Sequence, residues 1–241
     1  MHLKRVNFHP DKYPTREHHP FNLDLLHQTG VLNFETPVTL FVGENGTGKS
    51  TLLEAITHRC GIYIWRNQRR RFKPNPYENM LRDCISIEWT NGQVPGSFFG
   101  SSIFSHFTQI LDEWASMDPG VLKYFGGESL VAKSHGQSIM SFFKARYAIK
   151  GLYLLDEPET ALSPKTQLKL LELLSETSST GKAQFIIATH SPILLSCPGA
   201  VIYSFDHSPV KRLSYADTDH YKVYKAFMKK SKSVKTENKN G

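Results

Sequence analysis

The chain has 241 residues, 39% of them hydrophobic and 21% charged, which suits one sizeable α/β domain with a packed core. No apolar stretch is long enough to span a bilayer, and the opening MHLKRVNFHP lacks the apolar segment of a signal peptide, so a soluble, cytoplasmic protein without direct membrane insertion is expected. Of the formal net charge of +7, residues 222–241 supply +6 through seven lysines and one glutamate, which leaves the body nearly neutral.

In chain order the first strong strand candidate is Val38–Val42, followed by the loop GENGTGKST at residues 43–51 and a helix-like run. Gly43, four intervening residues, then Gly48, Lys49 and Ser50 form a phosphate-cradling pattern. Glycines allow successive backbone N–H groups to turn onto phosphate oxygens, and a helix opening at Lys49 aims its positive end at the same anion. The loop residues Gly43, Glu44, Asn45, Gly46, Thr47, Gly48, Lys49, Ser50 and Thr51 are therefore assigned to nucleotide binding. Lys49 would reach the β- and γ-phosphates, and the Ser50 hydroxyl would ligate Mg²⁺.

Between Arg59 and Lys73 stand Arg59, Arg66, Arg69, Arg70, Arg71 and Lys73 with no acid, interleaved with Tyr63, Trp65 and Phe72. Nucleic-acid backbone, the nucleotide's own phosphates, an acidic partner or plain solvation would each suit this cluster. A strand candidate at Ile85–Trp89 follows. Residues 96–149 then shift to Phe-, Ser- and Gly-rich sequence with helical stretches near Ser101–Trp114 and Gln137–Ile149, read as a helical lobe inserted into the sheet domain.

The segment GLYLLDEPETALSP, residues 151–164, carries a buried strand, Leu152–Leu155, that ends in Asp156. Its carboxylate would emerge beside the phosphate loop and hold Mg²⁺, while Glu157 would polarise an attacking water. Ser163 and Pro164 open a helix reaching Glu176, with Leu168, Leu171 and Leu174 at helical spacing. The strand Phe185–Ala188 leads to His190, placed to donate to the γ-phosphate or to orient the water. Val201–Phe205 is the last strand candidate, and the lysine-rich 222–241 is expected to be disordered. The division is thus a single domain over 1–221, with a core of about 1–95 and 150–221, a lobe over 96–149, and a basic tail. The widely spaced Cys60, Cys84 and Cys197 form no CxxC pair and read as reduced, inert thiols.

Together GENGTGKST, LLDEPETALS and ATHSP resemble the Walker A, Walker B with D-loop, and switch-histidine motifs of ABC-class P-loop ATPases. KSHGQS, residues 133–138, resembles the family signature LSGGQ, with His135 in place of its first glycine. The resemblance spans about residues 20–205 and is closest to small stand-alone bacterial ATPases with an SHGxS-type signature. It implies an α/β fold with a largely parallel sheet and a helical lobe, and ATP and Mg²⁺ as cofactors.

It also implies a head-to-tail homodimer in which Ser134, Gly136 and Gln137 meet the γ-phosphate held by the other copy. Relatives of this type act with a nuclease or other effector in antiphage defence and toxin–antitoxin operons, which implies a protein effector subunit. Two departures stand out. The Q-loop glutamine has no counterpart in a strand-to-loop setting: Gln93 and Gln109 flank the region, and Ser101 or Ser102 would take over the coupling. For the adenine-stacking aromatic, Phe21, Tyr13 and Phe34 are the candidates. An ATP-gated DNA or RNA clamp and the nucleotide-binding subunit of a transporter are the alternative functions.

Overall fold

The structure is a computed structural model that describes residues 1–65, 75–125, 127 and 135–237. A three-stranded antiparallel sheet comes first: β1 (Leu3–Phe8) lies between β2 (Val31–Asn33) and the later strand at Ile85–Trp89, with the short helix α1 (Asp24–Gln28) preceding β2. The second sheet is built around β3 (Val38–Val42), which runs into helix α2 (Lys49–Arg59).

The Ile85–Trp89 strand, β4, is a correction in placement. It belongs to the antiparallel sheet with β1 and not to the parallel one. A second correction concerns the lobe boundary, since Gly96–Gly100 forms β5, an edge strand of the second sheet. The helical part starts after it with α3 (Ser101–Met117) and continues with α4 (His135–Tyr147).

The chain then re-enters the sheet as β6 (Gly151–Asp156), crosses through α5 (Pro164–Ser179) to β7 (Ala183–Ala188), and passes the one-turn α6 (Pro192–Leu195) to β8 (Val201–Ser204). The spatial order is β5-β6-β7-β3-β8-β9, parallel except for β9 (Lys211–Leu213), which pairs antiparallel with β8. Helical crossovers between parallel neighbours produce this order.

The alternation of side chains along a strand explains why the central strands are apolar throughout. Leu152 and Leu154 of β6, with Ile186 and Ala188 of β7, enter one core with Leu52 and Ile56 of α2 and with Leu3 and Val6 of the antiparallel sheet. Tyr153, Leu155, Phe185 and Ile187 enter a second core on the opposite face, under Leu170 and Leu174 of α5 and the phenylalanines of α3 and α4. Gln184 is a polar exception with no exposed surface. Its Oε1 accepts the backbone N–H groups of His2 (2.7 Å) and Leu3 (2.8 Å), and its Nε2 donates to the Leu3 carbonyl (2.9 Å), joining the two sheets.

Within the tail expected to be disordered, the described residues continue helix α7, Asp219–Glu237, and residues 238–241 lie outside the described residues. The Tyr221 N–H donates to the Thr218 hydroxyl (3.3 Å), an N-cap, and Asp219 places a negative charge in the first turn. No glycine or proline interrupts the run that follows. Among the described residues no helix is long and apolar enough to cross a membrane. All three cysteines are buried and unbridged, and burial pushes the Cys60 thiol up to about 12.

Candidate nucleotide-binding site

β3 is buried along its whole length and delivers the loop to the carboxyl edge of the sheet. Gly46 and Gly48 take φ of 82° and 97°, conformations that favour glycine. At Gly48 there is also no room, since a Cβ would lie 2.7 Å from Leu23 Cδ1. No side chain caps α2 at Gly48, so the first N–H groups of the helix face the loop. Lys49 is 4% exposed, and its Nζ donates to the carbonyls of Gly43 (2.7 Å) and Glu44 (2.8 Å). Burial lowers its pKa, opposed by Glu157, Asp206, Asp156 and Glu44. Asp206, just beyond β8, accepts the Glu44 N–H at 2.7 Å. Asn45 is exposed, Thr47 donates to the Glu44 carbonyl at 2.9 Å, and Thr51 meets His19 Nε2 at 3.2 Å.

β6 brings Asp156 to the same edge, in register with Gly100 of β5 and Ala188 of β7. Ser50 Oγ donates to Asp156 Oδ1 at 2.8 Å. Burial pushes the Asp156 carboxyl up to about 6, against the lowering effect of the Ser50 hydrogen bond. A buried carboxylate whose partner is a hydroxyl is a fitting oxygen pair for a hard divalent cation. The uncapped helix end and the buried lysine fit a polyphosphate equally well. On these observations the residues present suit Mg-nucleotide.

Glu157 stands at φ 45° and ψ 55°, the left-handed region that a non-glycine residue occupies at a cost of order 1–3 kcal/mol. Three contacts hold it there. Its N–H donates to the Ala188 carbonyl (2.9 Å), and its carbonyl accepts from the Ser101 hydroxyl and from Thr160 Oγ1 (3.0 Å). The turn sends the carboxylate out of line with Asp156 and toward His190, whose Nε2 lies 3.7 Å from Glu157 Oε1.

β7 ends at Ala188, and the following loop presents His190. Its backbone N–H donates to Glu159 Oε1 at 2.6 Å, and its Nδ1 lies 3.1 Å from His220 Nε2 on α7. Burial, followed by the Lys49 charge, lowers the His190 pKa, so the ring is neutral at pH 7. Ser191 caps α6, and its hydroxyl donates to Gln167 of α5 (2.6 Å), which in turn donates to the Leu162 carbonyl (3.0 Å). The loops after β6 and β7 are thereby tied together.

Lys49, Ser50, Asp156, Glu157 and His190 thus converge at one edge. Gly136 and Gln137 lie in the first turn of α4, with the Cβ position of Gly136 3.8 Å from the Ala161 carbonyl, while Ser134 lies outside the described residues. Of the basic cluster, Arg66, Arg69, Arg70, Arg71, Phe72 and Lys73 also lie outside them; Tyr63 is 67% exposed, and Trp65 packs on Phe107 and Trp114.

Gln93 donates to the Cys60 carbonyl and Gln109 is exposed on α3, so neither takes a Q-loop position. Ser101 does touch the site, directly after the β5 residue that faces Asp156. Phe21 and Phe34 are core residues, and Tyr13 packs on Phe21 with its hydroxyl on the Leu26 carbonyl, so none of the three is a free stacking platform. Sequence reasoning missed Glu159, His220 and Asp206. Only Glu159 had a signal, its place within the motif LLDEPETALS.

Two family models match the chain. Residues 140–196 match the family described as "AAA domain, putative AbiEii toxin, Type IV TA system", and residues 21–83 match one described as "AAA domain". A "Putative ABC transporter ATP-binding protein" of Methanosarcina acetivorans is 27% identical over 193 residues, 69% of this chain and 68% of the relative.

Two solved structures share the fold at a TM-score of 0.50. One is described as a "putative metal-chelate type ABC transporter" in an inward-facing conformation (18% identity, 90% of this chain and 83% of that one). The other is an SMC head bound to the C-winged helix domain of ScpA (15%, 88% and 97%). With a phosphate loop, an Asp-Glu pair and a histidine gathered at the carboxyl edge of such a sheet, the chain has a P-loop fold and resembles ABC-class ATPases.

Proposed function

We propose that the protein hydrolyses ATP in a Mg²⁺-dependent reaction at a site completed by a second copy, and that closing and opening of this pair governs an associated effector. The observation that carries the reading is the convergence of Lys49, the Ser50–Asp156 pair, Glu157 and His190 at one sheet edge. Lys49 and the Gly43–Gly48 backbone bind and orient the phosphates. Ser50 and Asp156 would hold Mg²⁺, which supplies charge neutralisation for phosphoryl transfer. Glu157, 38% exposed at its side chain and turned away from the metal pair, takes the proton of the attacking water. His190 contacts the γ-phosphate.

Gly136 and Gln137 at the start of α4, with Ser134 before it, would meet nucleotide across the pair. ATP then joins the copies, and hydrolysis releases them. The match to a family described with a toxin of a toxin–antitoxin system supports an effector partner. The transporter-type relative supports a second reading, in which the partner is a membrane permease. Copurification with a multi-span protein would favour the second reading; nucleic-acid-dependent activity would favour an effector or clamp.

The test is light scattering of Glu157→Gln with Mg-ATP, with Lys49→Ala as control. The glutamine removes the base and leaves the phosphate and metal ligands in place. A monomer-to-dimer shift that requires Mg-ATP and is absent in Lys49→Ala is expected. ATP binding without any shift would sink the two-copy mechanism for the isolated chain.

A further inference from the structure

His190 has its two ring nitrogens in unlike surroundings. Nδ1 lies 3.1 Å from His220 Nε2, whereas Nε2 is buried, has no hydrogen-bond partner among the described residues, and faces the Glu157 carboxylate at 3.7 Å. A neutral imidazole carries one proton, and the hydrogen bond made by one nitrogen decides which nitrogen holds it. If Nδ1 carried the proton, the bare lone pair of Nε2 would point at a carboxylate oxygen. If Nε2 carries it, an N–H points there instead, and Nδ1 accepts from His220.

We infer that His220 is a positioning residue that donates its Nε2–H to His190 Nδ1 and so keeps His190 in the Nε2–H form, a hydrogen-bond donor and not a base.

The frame around the pair is built for a fixed distance. His220 sits in the first turn of α7, whose cap Thr218 is 1% exposed and donates to the Tyr215 carbonyl at 2.7 Å. The Tyr215 hydroxyl donates to the carbonyl of Pro192, two residues beyond His190, at 3.0 Å, and the Tyr215 ring packs on Tyr221 at 4.8 Å. From the other side, Glu159 holds the His190 N–H. The charged and titratable groups that act on His190 are Lys49, Glu157, His220 and Glu44. With its proton on Nε2, His190 cannot accept the proton of a water, so that role falls to Glu157, and His190 offers an N–H to negative charge on the transferring phosphate. The contact also links the basic helix α7 to the site, so that a shift of α7 would release the His190 proton to either nitrogen.

The tautomer assignment stands on geometry alone; only its consequence for rate rests on the ATPase reading. Long-range ¹H–¹⁵N correlation spectra of full-length protein labelled at histidine, with His190 assigned by its loss in His190→Gln, should show Nε2 protonated and Nδ1 bare. His220→Leu should mix the two forms, and His220→Gln, which keeps an N–H donor, should restore the first.

Single-turnover hydrolysis of Mg-ATP should fall about tenfold to a hundredfold in His220→Leu with ATP affinity unchanged, by analogy with the loss of the partner that orients a metal-bound histidine, and should recover in His220→Gln. A protonated Nδ1 in the unaltered protein, or a His190 spectrum indifferent to His220→Leu, would overturn the inference. If His220→Leu does not fold, the spectrum of the unaltered protein decides. Absence of hydrolysis in every form would refute the ATPase reading and leave the spectra to judge the tautomer.

Discussion

Replacing Gln184 with leucine keeps the side-chain volume and removes three hydrogen bonds inside the protein. The N–H groups of His2 and Leu3 lose their shared acceptor, and the Leu3 carbonyl loses a donor. Leu3 has no exposed surface and His2 only 7%, so water does not replace these partners without moving β1. A buried polar group left unpaired costs about 1–3 kcal/mol, which puts three of them at roughly 3–9 kcal/mol in a rigid structure. Relaxation at the start of β1 reduces the sum, and the leucine gains some apolar burial, so about 3 kcal/mol is the expected loss.

For a chain of this size that lowers the midpoint of thermal unfolding by roughly 6–12 °C. Circular dichroism melts of Gln184→Leu and of Lys182→Ala, an exposed side chain two residues away, make the comparison. The lysine variant should melt with the unaltered protein, because His2 Nε2 contacts only the Lys182 backbone carbonyl. A loss below about 1 kcal/mol for Gln184→Leu would refute the claim that this glutamine joins the two sheets through otherwise unsatisfied backbone groups.

Ser101→Ala removes one of the donors that hold the Glu157 carbonyl, while Thr160 keeps its own; stability should fall by about 0.5–1.5 kcal/mol and the hydrolysis rate should drop with ATP affinity retained. Equal rates in steady-state assays of the two proteins would show that the serine does not position Glu157. Glu159→Gln keeps the oxygen that accepts the His190 N–H and removes a carboxylate whose pKa burial raises from its ordinary 4.5. A raised folded-state pKa means that the native state binds more protons, so this group's contribution is fully present below pH 4.5 and is lost as pH rises through the folded-state value. Urea midpoints at pH 5 and pH 8 should therefore fall less with rising pH in Glu159→Gln than in the unaltered protein, and an identical slope would rule out a strained carboxylate at this position.

The legible part of the fold is the part made by contiguous sequence. β3, β6, β7 and β8 are short apolar runs covered on both faces, and the cap and leucine spacing of α5 mark that helix from Ser163 onward. Sheet membership is not local, and Ile85–Trp89 shows why: Ser86 and Glu88 alternate with its apolar residues, a pattern that marks a strand covered on one face without naming its neighbour, and its hydrogen bonds go to β1, about eighty residues earlier. β5 was hidden by its glycines. A Cβ at Gly96 would lie 2.3 Å from the Leu152 carbonyl oxygen and 2.5 Å from Ile62 Cδ1, so the residue that looks like a loop former is there because the strand packs too closely for any other. In α7 the excess of lysine masked a capped start at Thr218.

The site divides along the same line. A phosphate loop must be contiguous, because its N–H groups and its helix end come from successive residues, and an acidic pair at the end of a buried strand is contiguous too; Lys49, Ser50, Asp156 and Glu157 were therefore legible as groups brought to one sheet edge. What positions those side chains is assembled from distant segments. Ser101 reaches Glu157 from the start of α3, Gln167 joins two loops from α5, and His220 meets His190 across 30 residues. None of these carries a pattern that chemistry requires at fixed spacing, since each acts by arriving at a place the fold has made. The groups proposed to touch phosphate are thus constrained twice, by fold and by local sequence. The groups that hold Glu157 and contact His190 are constrained by fold alone.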